Sequence, residues 1–178
     1  MLTDTQIKKY IKSARIRITP FDEKLVKTSS YQIRLGNTLL IPENGQLIDL
    51  KNPDEQPRYK KVELTEEGYI LKPKEFILGQ TLEKIAMDSD ILIFADGRST
   101  LARLGISIHQ SSMSLLPGQD DHIITLEIFN ASPFKIKIYP GLQIGKLIFF
   151  QSSEKNEISY KEYGKYAGQS ETTGAKIE

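Results

Sequence analysis

From Arg15 to Phe150 the chain is a succession of short apolar runs closed by Gly, Pro or Asn, and this rhythm constrains the fold more than any other feature. The runs are ARIRITPF, SYQIRLGN, TLLIPENG, QLIDL, EGYILKP, EFILGQTLEKIAM, DILIFADG, GISIHQSS, HIITLEIFN, FKIKIYPG and QIGKLIFF. About ten strands at such close spacing predict an all-β barrel, sandwich or jelly roll. Asn44-Gly45, Pro117-Gly118 and Pro140-Gly141 supply turns between them. Helical spacing occurs at the N-terminus, where Thr3 and Gln6 fit a capping box and Ile7, Tyr10 and Ile11 recur on one face, predicting a short amphipathic helix over 3–13. No internal repeat or low-complexity tract interrupts the pattern.

Composition narrows the chemistry. Twenty-four Lys and Arg stand against 23 Asp and Glu in 178 residues, so no global field draws the chain to nucleic acid or to an anionic membrane, and an anionic ligand must be held by a local cluster. With no Cys and two His, disulfides, thiol nucleophiles and a zinc site of about four N and S ligands are excluded, and with them zinc-dependent base deamination. No window approaches the roughly 18 apolar residues of a membrane span, and MLTDTQIKKY lacks a signal-peptide core. The expected setting is cytoplasmic.

After Phe150 the composition turns polar, and QSSEKNEISYKEYGKYAGQSETTGAKIE has too few apolar groups to fold on its own. A β domain over 1–150 followed by a tail over 151–178 is the expected division. The tail is either a frayed terminus or, through Tyr160, Tyr163, Lys165, Tyr166 and Gln169, a cover that closes over a nucleotide.

Two stretches could carry chemistry. In Asp96-Gly97-Arg98-Ser99-Thr100-Leu101-Ala102-Arg103-Leu104-Gly105 a strand runs into a turn that offers backbone N–H groups, two hydroxyls and two guanidinium groups, which is the donor set of a phosphate cradle or a capped surface turn with solvated arginines. In HIITLEIFN, Ile124, Leu126 and Ile128 point to one face and Ile123, Thr125, Glu127 and Phe129 to the other, so the strand reads as buried on both faces with one carboxylate inside it. Such a Glu127 is either a general base with a raised pKa or half of an ion pair with Arg103. His109 reads as a hydrogen-bonded structural residue, and His122, beside Asp120 and Asp121, as a solvent-exposed loop residue. No Walker A string occurs, and no Ser-His-Asp triad can be assigned by spacing.

Taken in order, GRSTLARLG, His109-Gln110, LLPG, LEIFN, PGLQIGKLIF and KYAGQ resemble the motifs of the dCTP deaminases, in the superfamily shared with trimeric dUTPases. TDTQIKKYI and SSYQIRLG extend the resemblance to nearly the whole chain. It implies a mainly β, distorted jelly-roll or β-clip, dUTPase-like fold in a homotrimer with sites between subunits. It also implies hydrolytic deamination of dCTP to dUTP and ammonia, in deoxynucleotide metabolism, with no protein-bound metal and Mg²⁺ entering only on the triphosphate. Ser99, Arg103 and Glu127 match the catalytic positions. Arg98, Ser99 and Thr100 match the phosphate turn; Tyr160, Lys165, Tyr166 and Gln169 belong to the closing tail; Ser112 and Leu116 fall in the loop against the sugar.

Departures gather in that loop, which reads Ser111-Ser112-Met113-Ser114-Leu115-Leu116-Pro117-Gly118-Gln119. Leu116 stands at the family aspartate, which in the dUTPase relatives activates the attacking water, so its loss argues against onward triphosphate hydrolysis. Gln119 replaces an aromatic and Gln32 an aspartate. The alternatives are a dUTPase-type or bifunctional enzyme that carries dCTP to dUMP, and a catalytically silent nucleotide-binding paralogue.

Overall fold

The computed structural model describes residues 1–111 and 114–178, so Ser112 lies outside the described residues. Among the described residues, thirteen strands and three short α-helices follow one another as α1 (Asp4–Lys12), β1 (Ile16–Thr19), β2 (Val26–Lys27), β3 (Ser30–Arg34), β4 (Thr38–Pro42), β5 (Tyr59–Glu63), β6 (Tyr69–Leu71), β7 (Phe76–Met87), β8 (Ile91–Gly97), α2 (Ser99–Arg103), β9 (Ile106–Ser107), β10 (Ser114–Leu115), β11 (Gln119–Asn130), β12 (Ile136–Ile138), β13 (Gln143–Gln151) and α3 (Tyr160–Tyr163), with one 3-10 turn at Glu23–Leu25 before β2. The fold is mainly β with a short N-terminal helix, as expected.

One sheet has the order β5-β4-β7-β11-β9, with β1 also on β7; a second runs β10-β8-β13-β3-β2, and β12 pairs with β6 alone. Ile77, Ile85, Leu126 and Ile128 of the first sheet and Ile33, Ile93, Leu147 and Phe149 of the second meet in one apolar core. Truncating such a buried Ile or Leu to Ala costs about 2–5 kcal/mol, so this layer holds the two sheets together. β7 and β11 form its long central pair, with register shifts between Gln119 and His122 and between Ile123 and Thr125. A shift of this kind breaks strict alternation and re-aims the side chains beside it.

The N-terminal helix begins where its capping box predicts: Thr3 Oγ1 accepts from Gln6 N–H, and Gln6 Oε1 accepts from Thr3 N–H over 2.9 Å. Ile7 is fully buried beneath it. Arg15 then ties the helix exit to the β7–β8 turn through Asp88 and the buried Asp90. Burial pushes the Asp90 carboxyl up, but hydrogen bonds from Arg15 and Gln151 outweigh it and hold the group below the usual carboxylate range.

Two sequence expectations are corrected. QLIDL forms no strand: Leu47 and Leu50 are 86 % and 72 % exposed, so its apolar alternation meets no sheet. The strand in that region is β5, in YKKVE, whose charged Lys60, Lys61 and Glu63 suit an exposed edge and mask the period.

Candidate active site

A cavity of about 480 Å³ opens between β11 and the C-terminal tail, with Glu127, Thr125 and His109 on its body side and Tyr160, Tyr166 and Gln169 on its tail side. Its size is that of a small-molecule site. Ile124, Leu126 and Ile128 face the core, whereas Thr125, Glu127 and Phe129 are only half-buried. β11 is therefore not buried on both faces: the second face is the cavity wall, and the polar tail closes part of it.

Glu127 is anchored through its backbone and through its side chain. Its own N–H donates to Ile108 O over 2.9 Å, and the Gln110 N–H donates to Glu127 Oε2 over 2.7 Å. One carboxylate oxygen is thereby fixed to the chain. Arg103 makes no ion pair with it among the described residues, so the expected Glu127–Arg103 pair does not form within one chain. The physical reason is topological: α2 precedes β9, and the residues that β9 brings against Glu127 are those that follow it, Ile108 and Gln110, not the α2 turn.

The turn after β8 forms where glycine and hydroxyl residues predict it. Arg98 caps α2 and donates from Nη1 to Gln143 O over 3.3 Å, while Ser99 and Thr100 are exposed. Gly105, at φ +82, ends the segment where a Cβ would meet the Ser132 backbone. None of Arg98, Ser99, Thr100 or Arg103 lines the Glu127 cavity. One chain thus presents a carboxylate cavity and, separately, a cationic hydroxyl-bearing turn.

The tail is laid on the body by polar contacts rather than by apolar burial. Ser159 Oγ donates to Gly118 O over 2.6 Å, and Tyr160 N–H donates to Pro117 O over 3.0 Å. Further along, Gln169 Nε2 donates to Ile123 O and Thr125 Oγ1, Ile123 N–H donates back to Gln169 O, and Thr172 N–H donates to Gln80 Oε1. Tyr166 reaches the cavity wall, but Lys165 does not: its Nζ donates to Lys176 O and pairs with Glu178.

Leu116 lines the cavity mouth, 37 % exposed. His122 is a correction, because it is buried in β11 and lines the cavity instead of standing in an exposed loop; burial pushes its imidazole below the usual range. The register shift beside it turns the ring inward, a signal that the adjacent Asp120 and Asp121 conceal in the sequence. His109 is half-buried at the wall, its Nδ1 2.9 Å from Ser111 O. Tyr59, from the unexpected β5, also contributes to the lining. Among the described residues no three His, Asp or Glu side chains gather to cage a cation, and no helix is long and apolar enough to cross a membrane.

Residues 1–152 match the family described as dCTP deaminase-like. A protein of Sulfurihydrogenibium sp. named "dCTP deaminase, dUMP-forming" is 40 % identical over 178 residues, covering 99 % of this chain and 97 % of its own. Proteins of the same name from Persephonella marina and Kocuria rhizophila are 39 % and 34 % identical, each over 99 % of this chain and over 97 % and 94 % of their own. Among solved structures, the 2'-deoxycytidine 5'-triphosphate deaminase of Agrobacterium tumefaciens superposes with a TM-score of 0.66 at 20 % identity, covering 85 % of this chain. This chain spans 47 % of that longer one, and the likeness supports the fold.

Proposed function

The chain belongs to the dCTP deaminase-like family, and from that premise we propose that it deaminates dCTP hydrolytically, with Glu127 as the proton-transferring group. The observation that carries this reading is the position of Glu127: a carboxylate on the wall of a cavity of about 480 Å³, held by the Gln110 N–H. Deamination at C4 of cytosine needs a base that takes a proton from water and then returns it to the departing amine. The oxygen of that water bonds to C4, the C–N bond breaks, and ammonia leaves with the proton that Glu127 carried. One carboxylate performs both transfers.

The remaining roles follow from combining two copies. Ser99 and Arg103 lie outside the cavity of their own chain; brought against Glu127 of a neighbour in a homotrimer, Ser99 orients the water or the exocyclic amine and Arg103 steadies the carboxylate. Arg98, Ser99 and Thr100 hold the triphosphate, on which Mg²⁺ enters as part of the substrate. Tyr160, Tyr166 and Gln169 cover the base and sugar, and Lys165 reaches phosphate only by releasing Glu178 and Lys176 O. Leu116 borders the sugar. A soluble, cytoplasmic setting suits such a reaction.

The end product is where two observations diverge. Leu116 supplies no carboxylate to activate water against the phosphate chain, which favours release of dUTP. The relatives' name, "dUMP-forming", favours a second reading in which the triphosphate is also cleaved to dUMP and pyrophosphate. Incubation of the purified protein with dCTP and Mg²⁺, followed by chromatography of dCTP, dUTP, dUMP and pyrophosphate, tests both. Accumulating dUTP supports the first and dUMP with pyrophosphate the second. Unchanged dCTP that nevertheless binds would leave a silent nucleotide-binding protein.

A further inference from the structure

The register shift between Ile123 and Thr125 is also where the tail takes hold of the wall that carries Glu127. Ile123 N–H donates to Gln169 O over 2.9 Å, and Gln169 Nε2 donates back to Ile123 O over 3.0 Å. An irregularity of this kind beside a site re-aims a side chain. Here that side chain is Thr125, whose one hydroxyl oxygen accepts from two tail residues, from Gln169 Nε2 over 2.7 Å and from Thr172 Oγ1 over 3.2 Å. Two such bonds fill the lone pairs of a hydroxyl. Thr172 is 4 % exposed, so its own hydroxyl has no bulk water to turn to if that acceptor is lost.

The other fastenings of the tail differ in kind. The bonds at Ile123 are made by its main chain and do not depend on its side chain. The ion pair of Lys61 with Glu171 is more than half exposed on both partners and so contributes little. Ser159 holds only the root of the tail, at Gly118. Thr125 is set apart by its place: it stands two positions from Glu127 on the same face of β11, and both side chains line the cavity. The part of the tail that it holds therefore closes against the wall that bears the proton-transferring carboxylate.

We propose that Thr125 is a positioning residue of the reaction: through Gln169 and Thr172 its hydroxyl seats the tail on β11 and sets how often a bound nucleotide is turned over before the cover opens and releases it. This rests on the deaminase reading above. Proton transfer proceeds under a closed cover and escape through an open one, so the ratio of release to turnover follows the closing equilibrium directly.

The test uses full-length wild type, Thr125→Val and Thr125→Ser. Valine keeps the shape and suits a strand but accepts no hydrogen bond, whereas serine keeps the oxygen. Labelled dCTP bound with Mg²⁺ is chased with excess unlabelled dCTP, and the label is divided between released dCTP and deaminated product. In parallel, hydrogen exchange read by mass spectrometry follows the tail segment that carries Gln169 and Thr172. Thr125→Val should raise the ratio of release to turnover by about 3- to 10-fold, the effect of losing one neutral hydrogen bond, and should speed exchange in the tail segment. Thr125→Ser should bring both back to within about twofold of wild type. An unchanged ratio in Thr125→Val, or exchange that quickens across β7 and β11 as much as in the tail, would overturn the inference while ammonia release from dCTP leaves the deaminase reading intact. A wild type that releases no ammonia from dCTP overturns both.

Discussion

The main-chain N–H of Gln110 donates to Glu127 Oε2 over 2.7 Å, across 17 positions of sequence, and so orients a carboxylate that has no cationic partner among the described residues of its own chain. A bond from a rigid backbone donor fixes one oxygen and leaves the other toward the cavity. That asymmetry suits a group which must alternate between accepting and returning one proton.

Glu127→Gln should therefore remove turnover while leaving nucleotide binding in place. The amide oxygen keeps the bond from Gln110, but the side chain no longer accepts a proton. The expected loss in kcat is on the order of 10²-fold or more, with Kd for dCTP nearly unchanged. A variant that still released ammonia at close to the normal rate would reduce Glu127 to a structural acceptor.

Separation of the cavity from the Arg98–Arg103 turn predicts complementation between defective chains. Glu127→Gln and Arg103→Ala are each expected to be inactive alone. Refolded together in equal amounts as a random trimer with sites between subunits, about a quarter of the sites join an intact Glu127 to an intact Arg103. Ammonia release should return to that order, and a mixture as silent as its components would place both residues in one chain's site.

The tail gives a third measurement. Deleting 160–178 removes Tyr160, Tyr166 and Gln169 from the cavity and should lower kcat/KM for dCTP by on the order of 10²-fold, since water then reaches the site freely. The composition of the tail alone predicts no cost to the core. Its backbone bonds to Ile123 and Gln80 predict instead a modest cost, about 1–2 kcal/mol or roughly 2–8 °C in Tm. Normal turnover by the truncated protein would make the segment a mere terminus.

His122 predicts an acid-side loss of stability. Its imidazole titrates below the ordinary 6.5 when folded because burial penalises the charged form. The unfolded chain then binds a proton that the folded chain refuses, so stability is fully present above the unfolded value and falls as pH drops through 6.5 toward the lower folded value. Between about pH 7 and 5 the wild type should lose up to about 1.4 kcal/mol per pH unit more than His122→Gln. Parallel denaturation curves for the two proteins across that range would remove the assignment.

The strand rhythm made the β architecture legible from sequence, and the Thr3–Gln6 box gave the N-terminal helix, because both depend on local chemistry. Glu127 was legible as a lone carboxylate in an apolar strand. What alternation could not give was the second face of β11, which is decided by whether a distant segment lies over it. QLIDL misled for the same reason, having the period of a strand and no sheet to join. His122 was hidden by a register shift, which no two-residue period announces, and β5 by lysines that are normal on an edge.

Gly118 stands at φ +76, and a Cβ there would sit 2.1 Å from Ser159 Oγ. The turn that follows Leu116 is thus also the cleat to which the tail is made fast. Rim and cover behave as one mechanical piece, and neither can be exchanged with a homologue in isolation: a chimera that imports a foreign tail must import the loop beneath it. The same coupling limits how such a loop drifts. A residue inserted or lost near Pro117 would unship the strap, so substitutions rather than length changes are the variation this corner of the fold permits.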